Sequence, residues 1–192
     1  MTDFRMFQTI TKSILVLFMF LSGCSNSSVS PSGNPLSAKV GEKAAEFELS
    51  DQYGDPWSLS RIVEEKKFTA IVFFRSADWW IFCKTQLVEL QNQLIDIEAA
   101  EIQLVGISYD DVSILRDFTR ENSISFPLLS DKESKTIRAY GVFDSKEKGI
   151  YSGVPIPTTV IVDQAGMIRA VLPGTQKKRH SIDQLLTAMK SI

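Results

Sequence analysis

Cysteine is the residue type whose placement in this sequence best fits a chemical role, and the 192-residue chain has only two, Cys24 and Cys83. Cys83 follows a short apolar run, residues 68–74, and opens a segment in which leucines recur at helical spacing. A cysteine in the first turn of a helix lies near unpaired backbone N–H groups and the positive end of the helix dipole, which together stabilise a thiolate. The pattern therefore predicts a nucleophilic thiol at Cys83.

The residues around Cys83 leave a second interpretation open. Arg75, at the end of the apolar run, is a candidate for a nearby positive charge. Trp79, Trp80 and Phe82 form an aromatic cluster that either lines a substrate or partner surface or packs in the core. In the second case Cys83 is a buried, inert thiol that packs as a small apolar side chain.

Composition and motifs argue against several other kinds of chemistry. The 21 basic and 23 acidic side chains give a formal net charge of −2, so no strong field favours nucleic acid. His180 is the only histidine and has no matching ligand set, which favours a solvated side chain over a metal ligand. Nothing places it beside Cys83 for a Cys–His hydrolase, and no Gly-rich phosphate loop is present. We expect no metal, no cofactor and no nucleic-acid partner.

Elements of alternating type are predicted to position Cys83. Residues 68–74 and 102–108 have the continuous apolar character of strands buried on both faces of a parallel sheet. Residues 159–162 and 168–172 flank Gly166, which supplies the positive φ of a tight hairpin turn, so these strands should be antiparallel.

Helices are expected between these strands. One runs from Cys83 through Ile97, and others cover residues 114–118 and 134–140, with an extended piece at 124–129. Asp110 and Asp111 are predicted to cap the helix after the second strand. A closing amphipathic helix is predicted from Ile182, Leu185, Leu186 and Met189. This order predicts an α/β domain with a central mixed sheet flanked by helices, as in a thioredoxin-like fold.

The N-terminus has the features of an export signal. Arg5 and Lys12 precede an apolar run, residues 14–21, that is shorter than the roughly 20 residues needed to span a bilayer. Residues 25–38 are rich in Ser, Asn, Pro and Gly and have almost nothing to bury. We therefore predict a signal peptide over residues 1–23, a flexible tether over 24–38 and a single domain over 39–192.

Residues 21–24, Leu-Ser-Gly-Cys, resemble the bacterial lipobox. The resemblance implies that Cys24 becomes the lipidated N-terminus and anchors the domain to a membrane of the cell envelope, since acyl chains contribute about 0.8 kcal/mol per buried methylene. Ser25 occupies the place where Asp signals inner-membrane retention, which favours the outer membrane in a Gram-negative cell. The alternative is an ordinary cleaved signal with an incidental cysteine.

Several short stretches occur in the order and with the residue types of one known family. They are residues 40–49, 51–54, 57–59, 72–83, 129–131, 139–142 and 157–163. Together they resemble the alkyl hydroperoxide reductase and thiol-specific antioxidant family, the peroxiredoxin-like branch of the thioredoxin superfamily. The resemblance covers roughly residues 39–175. It implies a thioredoxin-like fold, a peroxide or disulfide substrate, an external thiol reductant and Cys83 as nucleophile.

The active-site segment departs from the family pattern. Peroxiredoxins carry Thr three residues and Pro seven residues before the peroxidatic cysteine, and this chain has Trp80 and Ser76 there. The peroxiredoxin arginine near the late strand is not evident, because Pro157 and Thr158 occupy its neighbourhood. By resemblance to thioredoxins, Pro157 is expected to follow a cis peptide bond beside the active-site helix; the alternative is an ordinary trans proline that opens a strand.

The number of cysteines limits the mechanism. In Cys-x-x-Cys redoxins the first cysteine falls where this chain has Trp80, so that dithiol cannot form, and Cys83 aligns with the resolving partner. In the peroxiredoxin alignment Cys83 is itself the attacking sulfur. With Cys24 committed to lipid, turnover must pass through a sulfenic acid reduced by an external thiol or through a mixed disulfide. The competing hypothesis is a redox-inactive thioredoxin-fold binding module anchored in the cell envelope.

Overall fold

The structure is a computed structural model, and it describes residues 38–175, 177–179, 183–184 and 186–187. Cys24, the predicted signal peptide and all of the predicted tether except Ala38 lie outside the described residues, as do His180, Ile182, Leu185 and Met189. The predicted boundaries after residues 23 and 38 therefore stay predictions. Within the described part of the chain, no helix combines the length and apolar character needed to cross a membrane.

One mixed sheet of seven strands forms the centre of the described domain. The strands are β1 (Glu48–Ser50), β2 (Pro56–Ser58), β3 (Phe68–Phe73), β4 (Ile102–Ser108), β5 (Leu128–Ser130), β6 (Thr158–Asp163) and β7 (Ile168–Pro173). Their order across the sheet is β2-β1-β5-β4-β3-β6-β7. The β3–β4 and β4–β5 pairs are parallel, and the remaining pairs are antiparallel. The predicted α/β class with a central mixed sheet is confirmed.

Helices connect the strands and cover both faces of the sheet. They are α1 (Leu59–Ile62), α2 (Ile81–Asn92), α3 (Leu94–Ala99), α4 (Val112–Asn122) and α5 (Lys135–Ala139), with a 3-10 turn at Gly149–Tyr151. The prediction of one helix from Cys83 through Ile97 was wrong in its continuity, because Gln93 leaves helical geometry at φ −111° and ψ 15°. The described residues of the predicted closing helix, 183–184 and 186–187, are helical.

The core divides into two layers because β3 is buried on both faces. Ala70 and Val72 pack into one apolar cluster with residues of α2, α3 and α4. Ile71 and Phe73 pack into the other, with residues of α1 and α5. Successive side chains of a strand point to opposite faces, so a continuous apolar run supplies both layers at once. This explains why the apolar runs in the sequence predicted the central strands well.

The strand directions bring five chain segments together at one edge of the sheet. Because β3, β4 and β5 are mutually parallel, their carboxyl ends lie at this edge. Strand β6 runs the other way and begins there, with Thr158 opposite Phe73. Strand β7 ends there, with Pro173 opposite Thr158. Ligand sites of open α/β sheets form at this kind of edge. The segment after β3 leads from this edge into α2, which carries Cys83.

Gly106 in the central strand β4 has no room for a side chain. An added Cβ would lie 2.7 Å from Leu128 Cδ2 and 3.0 Å from Phe74 Cε1. We expect Gly106→Ala to lower the free energy of unfolding by about 1–3 kcal/mol in urea denaturation, the usual cost of overpacking. If the clash is the cause, combining it with Leu128→Ala must cost less than the sum of the two single changes. Simple additivity would contradict this account.

Candidate active site

Cys83 is the third residue of α2 and is completely buried. Its Sγ accepts a hydrogen bond from the backbone N–H of Arg75 at 3.2 Å. The N–H of Cys83 itself donates to the carbonyl of Trp80 at 2.9 Å, and so does that of Lys84 at 3.2 Å. The predicted position in the first helical turn is confirmed. The expected donors were the helix N–H groups, but the N–H that reaches the sulfur comes from the segment after β3.

Arg179 supplies a second donor to the sulfur. Its Nη2 lies 3.4 Å from Cys83 Sγ, and its Nη1 donates to the carbonyl oxygen of Thr175. Sequence reasoning missed Arg179, which is the last of three consecutive basic residues, the basic run at residues 177–179. One signal could have found it: the run comes shortly after β7, which ends at Pro173 and at the same edge of the sheet as Cys83.

The guanidinium of Arg75 pairs with carboxylates. Nη1 lies 3.0 Å from Asp144 Oδ2 and Nη2 lies 2.7 Å from Glu147 Oε1. The side chain is almost fully buried. The central carbon of its guanidinium, Cζ, lies 5.0 Å from the ring centre of Trp80 and 5.8 Å from that of Trp79. Two carboxylates thus balance the charge that we expected Arg75 to offer the thiol. Within the described contacts, Arg75 reaches the sulfur through its backbone.

A buried carboxylate holds the segment between β3 and α2. Asp110 Oδ1 accepts from Ser76 Oγ at 2.8 Å. Asp110 Oδ2 accepts from the N–H of Ala77 at 2.8 Å and from Ser108 Oγ at 3.0 Å. Ser130 Oγ donates to the Asp110 carbonyl at 2.6 Å. The ends of β4 and β5 are therefore tied to the segment that leads to Cys83.

The prediction that Asp110 and Asp111 cap α4 was wrong for Asp110, whose carboxylate points away from the helix into the network just described. Asp111 is the N-cap residue, but its side chain makes no capping hydrogen bond and pairs instead with Lys132 at 2.7 Å. Sequence spacing could not distinguish these neighbours, because both precede the same helix.

Burial raises the pKa of the Asp110 carboxyl, and hydrogen bonds from Ala77, Ser76 and Ser108 oppose that rise. The folded protein therefore holds the Asp110 proton to a higher pH than the unfolded chain does. This group's contribution to stability is largest below the ordinary pKa of aspartate and falls as the pH rises towards the raised value.

Aromatic side chains form the surface beside the buried sulfur. The ring centres of Trp79 and Trp80 are 5.4 Å apart, those of Trp80 and Phe82 are 5.9 Å apart and those of Trp79 and Tyr151 are 4.5 Å apart. Phe82 and Tyr151 are exposed, and the two indoles are half-buried. Trp79 Nε1 donates to the Tyr109 hydroxyl at 3.0 Å. The predicted cluster lies at the protein surface and touches both Arg75 and the start of α2.

Pro157 is buried immediately before β6. Its carbonyl accepts a hydrogen bond from the N–H of Gly174 at 2.8 Å, which fixes the chain after β7 beside the strand start. The cis peptide expected before Pro157 stays a prediction. In residues 38–175 and the short described pieces that follow, no group of three or more His, Cys, Asp or Glu side chains is placed to hold a metal ion.

Comparison with known proteins places this site in a family. Residues 40–171 match the AhpC/TSA family. The chain belongs to the AhpC/TSA family. Among its relatives, the Coxiella burnetii protein that bears the name peroxiredoxin bcp is 30% identical over 151 residues, which cover 76% of this chain and 95% of that protein. The chloroplastic peroxiredoxin Q of Populus jackii is 29% identical over 161 residues, covering 83% and 72%.

Solved structures agree on the fold of this AhpC/TSA member. Peroxidoxin BcpB from Mycobacterium tuberculosis matches with a TM-score of 0.70 and 24% identity, covering 80% of this chain and 97% of that one. AhpC from Enterococcus faecalis matches with a TM-score of 0.69 and 20% identity, covering 79% and 91%. The thioredoxin-like fold predicted from the sequence is therefore confirmed.

The neighbouring residues Asp110 and Asp111 provide a matched test of the buried network. Asp110→Ala leaves the N–H of Ala77 and two buried hydroxyls without their acceptor, so we expect it to lower the free energy of unfolding by about 2–4 kcal/mol. Asp111→Ala removes an exposed ion pair and should cost less than about 1 kcal/mol. Urea denaturation measures both changes, and equal costs would contradict the role given to Asp110.

Proposed function

We propose that the chain is a thiol peroxidase that reduces peroxides through Cys83 alone, with an external thiol as reductant. The observation that carries this proposal is the pair of N–H donors, from Arg75 and Arg179, on the sulfur of Cys83, the residue for which the family resemblance implies the role of nucleophile. A thiolate is an anion that accepts such hydrogen bonds strongly, and the thiolate is the nucleophilic form of cysteine.

The first step oxidises the sulfur. The Cys83 thiolate attacks one oxygen of the peroxide, an S–O bond forms and the O–O bond breaks. The second oxygen leaves with the bonding electron pair and takes up a proton to become water or an alcohol. The sulfur loses two electrons and becomes a sulfenic acid, while the peroxide is reduced by the same two electrons.

The second step returns the sulfur to the thiol. An external thiol attacks the sulfenic acid, releases water and forms a mixed disulfide with Cys83. A second external thiol then attacks that disulfide and leaves Cys83 reduced. Two external thiols are oxidised to one disulfide for each peroxide, so electrons balance. The external thiol is needed because Cys24 is the only other cysteine and is assigned below to lipid.

The burial of Cys83 sets a condition on both steps. The residue has no exposed surface, so a peroxide or a thiol reaches Sγ only when a neighbouring side chain moves aside. The aromatic surface next to it, with Phe82 at 39% and Tyr151 at 41% exposure, offers apolar contact to the organic part of a hydroperoxide or to the reductant. A buried thiol also favours small reactants.

We extend the proposal to the location of the protein. The lipobox-like residues 21–24 support lipid attachment at Cys24, and residues 25–38 supply a tether between the lipid and the catalytic domain. The enzyme would then reduce peroxides at a membrane surface of the cell envelope, the outer membrane in a Gram-negative cell. Several acyl chains on one residue bind a bilayer firmly.

The assignment of catalysis to Cys83 is tested with the full chain in detergent. We expect peroxide consumption with dithiothreitol to fall to the background of thiol and buffer in Cys83→Ser, because no other cysteine can replace the nucleophile. Cys24→Ser should keep the wild-type rate. Trapping with dimedone and mass spectrometry should find the sulfenic acid on Cys83. A wild-type rate equal to that of Cys83→Ser would instead favour the redox-inactive binding module.

The anchor is tested separately in a bacterial host. We expect the wild-type chain and Cys83→Ser to fractionate with membranes and to incorporate labelled fatty acid. Cys24→Ser should do neither, because it removes the only proposed site of lipid attachment. Membrane association of Cys24→Ser at the wild-type level would show that something other than lipid on Cys24 holds the protein there.

A further inference from the structure

Arg179 differs from Arg75 in the partners of its charge. Arg75 forms ion pairs with Asp144 and Glu147. Among the described residues no carboxylate forms an ion pair with Arg179, whose described hydrogen bonds go to the sulfur of Cys83 and to the carbonyl oxygen of Thr175. The positive charge of Arg179 therefore faces the thiol without a competing anion from the described part of the chain.

A short turn fixes the place of Arg179. The Gly174 N–H donates to the carbonyl of Pro157 at 2.8 Å, which attaches the turn to the start of β6. The Thr175 N–H donates to the carbonyl of Lys178 at 2.9 Å, and Thr175 Oγ1 accepts from the Lys178 N–H at 3.0 Å. These two hydrogen bonds join Thr175 and Lys178 in a turn. The turn directs the side chain of the next residue, Arg179, towards Cys83.

The guanidinium of Arg179 has one further N–H donor that could bind a reactant. Nε of Arg179 is buried and has no hydrogen-bond partner among the described residues. In a planar guanidinium, Nε–H and one N–H of Nη2 lie along the same edge, the arrangement that binds two acceptors side by side. Nη2 already contacts Sγ at 3.4 Å, so an oxygen atom next to the sulfur would lie within reach of Nε.

We propose that Arg179 is a catalytic residue, the cation that holds Cys83 as a thiolate and binds the peroxide oxygen that departs with negative charge. This inference rests on the proposed peroxidase function. It places the positive charge that faces the sulfur on a residue after β7. Pro157 contributes through its carbonyl, which secures the turn that carries Arg179.

The test compares Arg179→Gln with Lys178→Gln in the full chain. Lys178 is the adjacent residue of the same basic run, and its side chain is exposed. Two quantities are measured: the second-order rate of sulfenic acid formation with hydrogen peroxide, and the rate of Cys83 alkylation by iodoacetamide as a function of pH. Arg179→Lys, which keeps the charge but loses the planar fork, is the conservative variant.

We expect Arg179→Gln to slow sulfenic acid formation by about 100-fold, the usual effect of removing one pre-positioned donor to a developing anion. The midpoint of its alkylation profile should move to higher pH, which a purely structural role would not cause. Arg179→Lys should recover part of both losses, and Lys178→Gln should stay within about twofold of wild type, as expected for an exposed residue.

A wild-type peroxide rate and an unchanged alkylation profile in Arg179→Gln would overturn the assignment, even if Cys83→Ser abolishes activity. Equal losses in Arg179→Gln and Lys178→Gln would overturn it too, since they would reflect the net charge of the run. Failure of the proposed function gives a different result: wild type then shows no peroxidase rate above Cys83→Ser. The alkylation profile still reports whether Arg179 acts on the sulfur.

Discussion

The carboxylate of Asp110 is the interaction on which the geometry of the site depends. It lies just beyond β4, is buried, and accepts hydrogen bonds from Ser76 and Ala77 of the segment after β3. A buried carboxylate is costly unless donors surround it, so the network exists only when the neighbouring strand ends are in register. The path of the chain into α2, and with it the position of Cys83, follows from that register.

The central strands could be predicted because their sequences carry a strong signal. Residues 102–108 were predicted as a strand and form β4 with the same ends, since a strand buried on both faces needs an uninterrupted apolar run. The hairpin at Gly166 was also predicted correctly, and this residue has φ +74°. The short strands β1 and β2 were missed. Their three residues each are too few to establish a period.

The site was less predictable than the fold because its contacts join distant parts of the chain. The resemblance of short segments to the family predicted a nucleophile at Cys83, but spacing carries no information about which N–H reaches a sulfur. Arg75 illustrates this: its position beside the strand end was foreseen, while Asp144 and Glu147, which receive its charge, lie about 70 residues away. Local patterns predict elements well, whereas side-chain pairing across loops follows from the assembled sheet.

The separation of 96 residues between Cys83 and Arg179 has a consequence for the newly made chain. Synthesis proceeds from the N-terminus, so the thiol exists long before the guanidinium that contacts it. Until the β6–β7 hairpin has formed, Cys83 lacks that neighbour. The contact between Cys83 and Arg179 is therefore a late one, because it forms only after the sheet has assembled and the residues beyond β7 have been made.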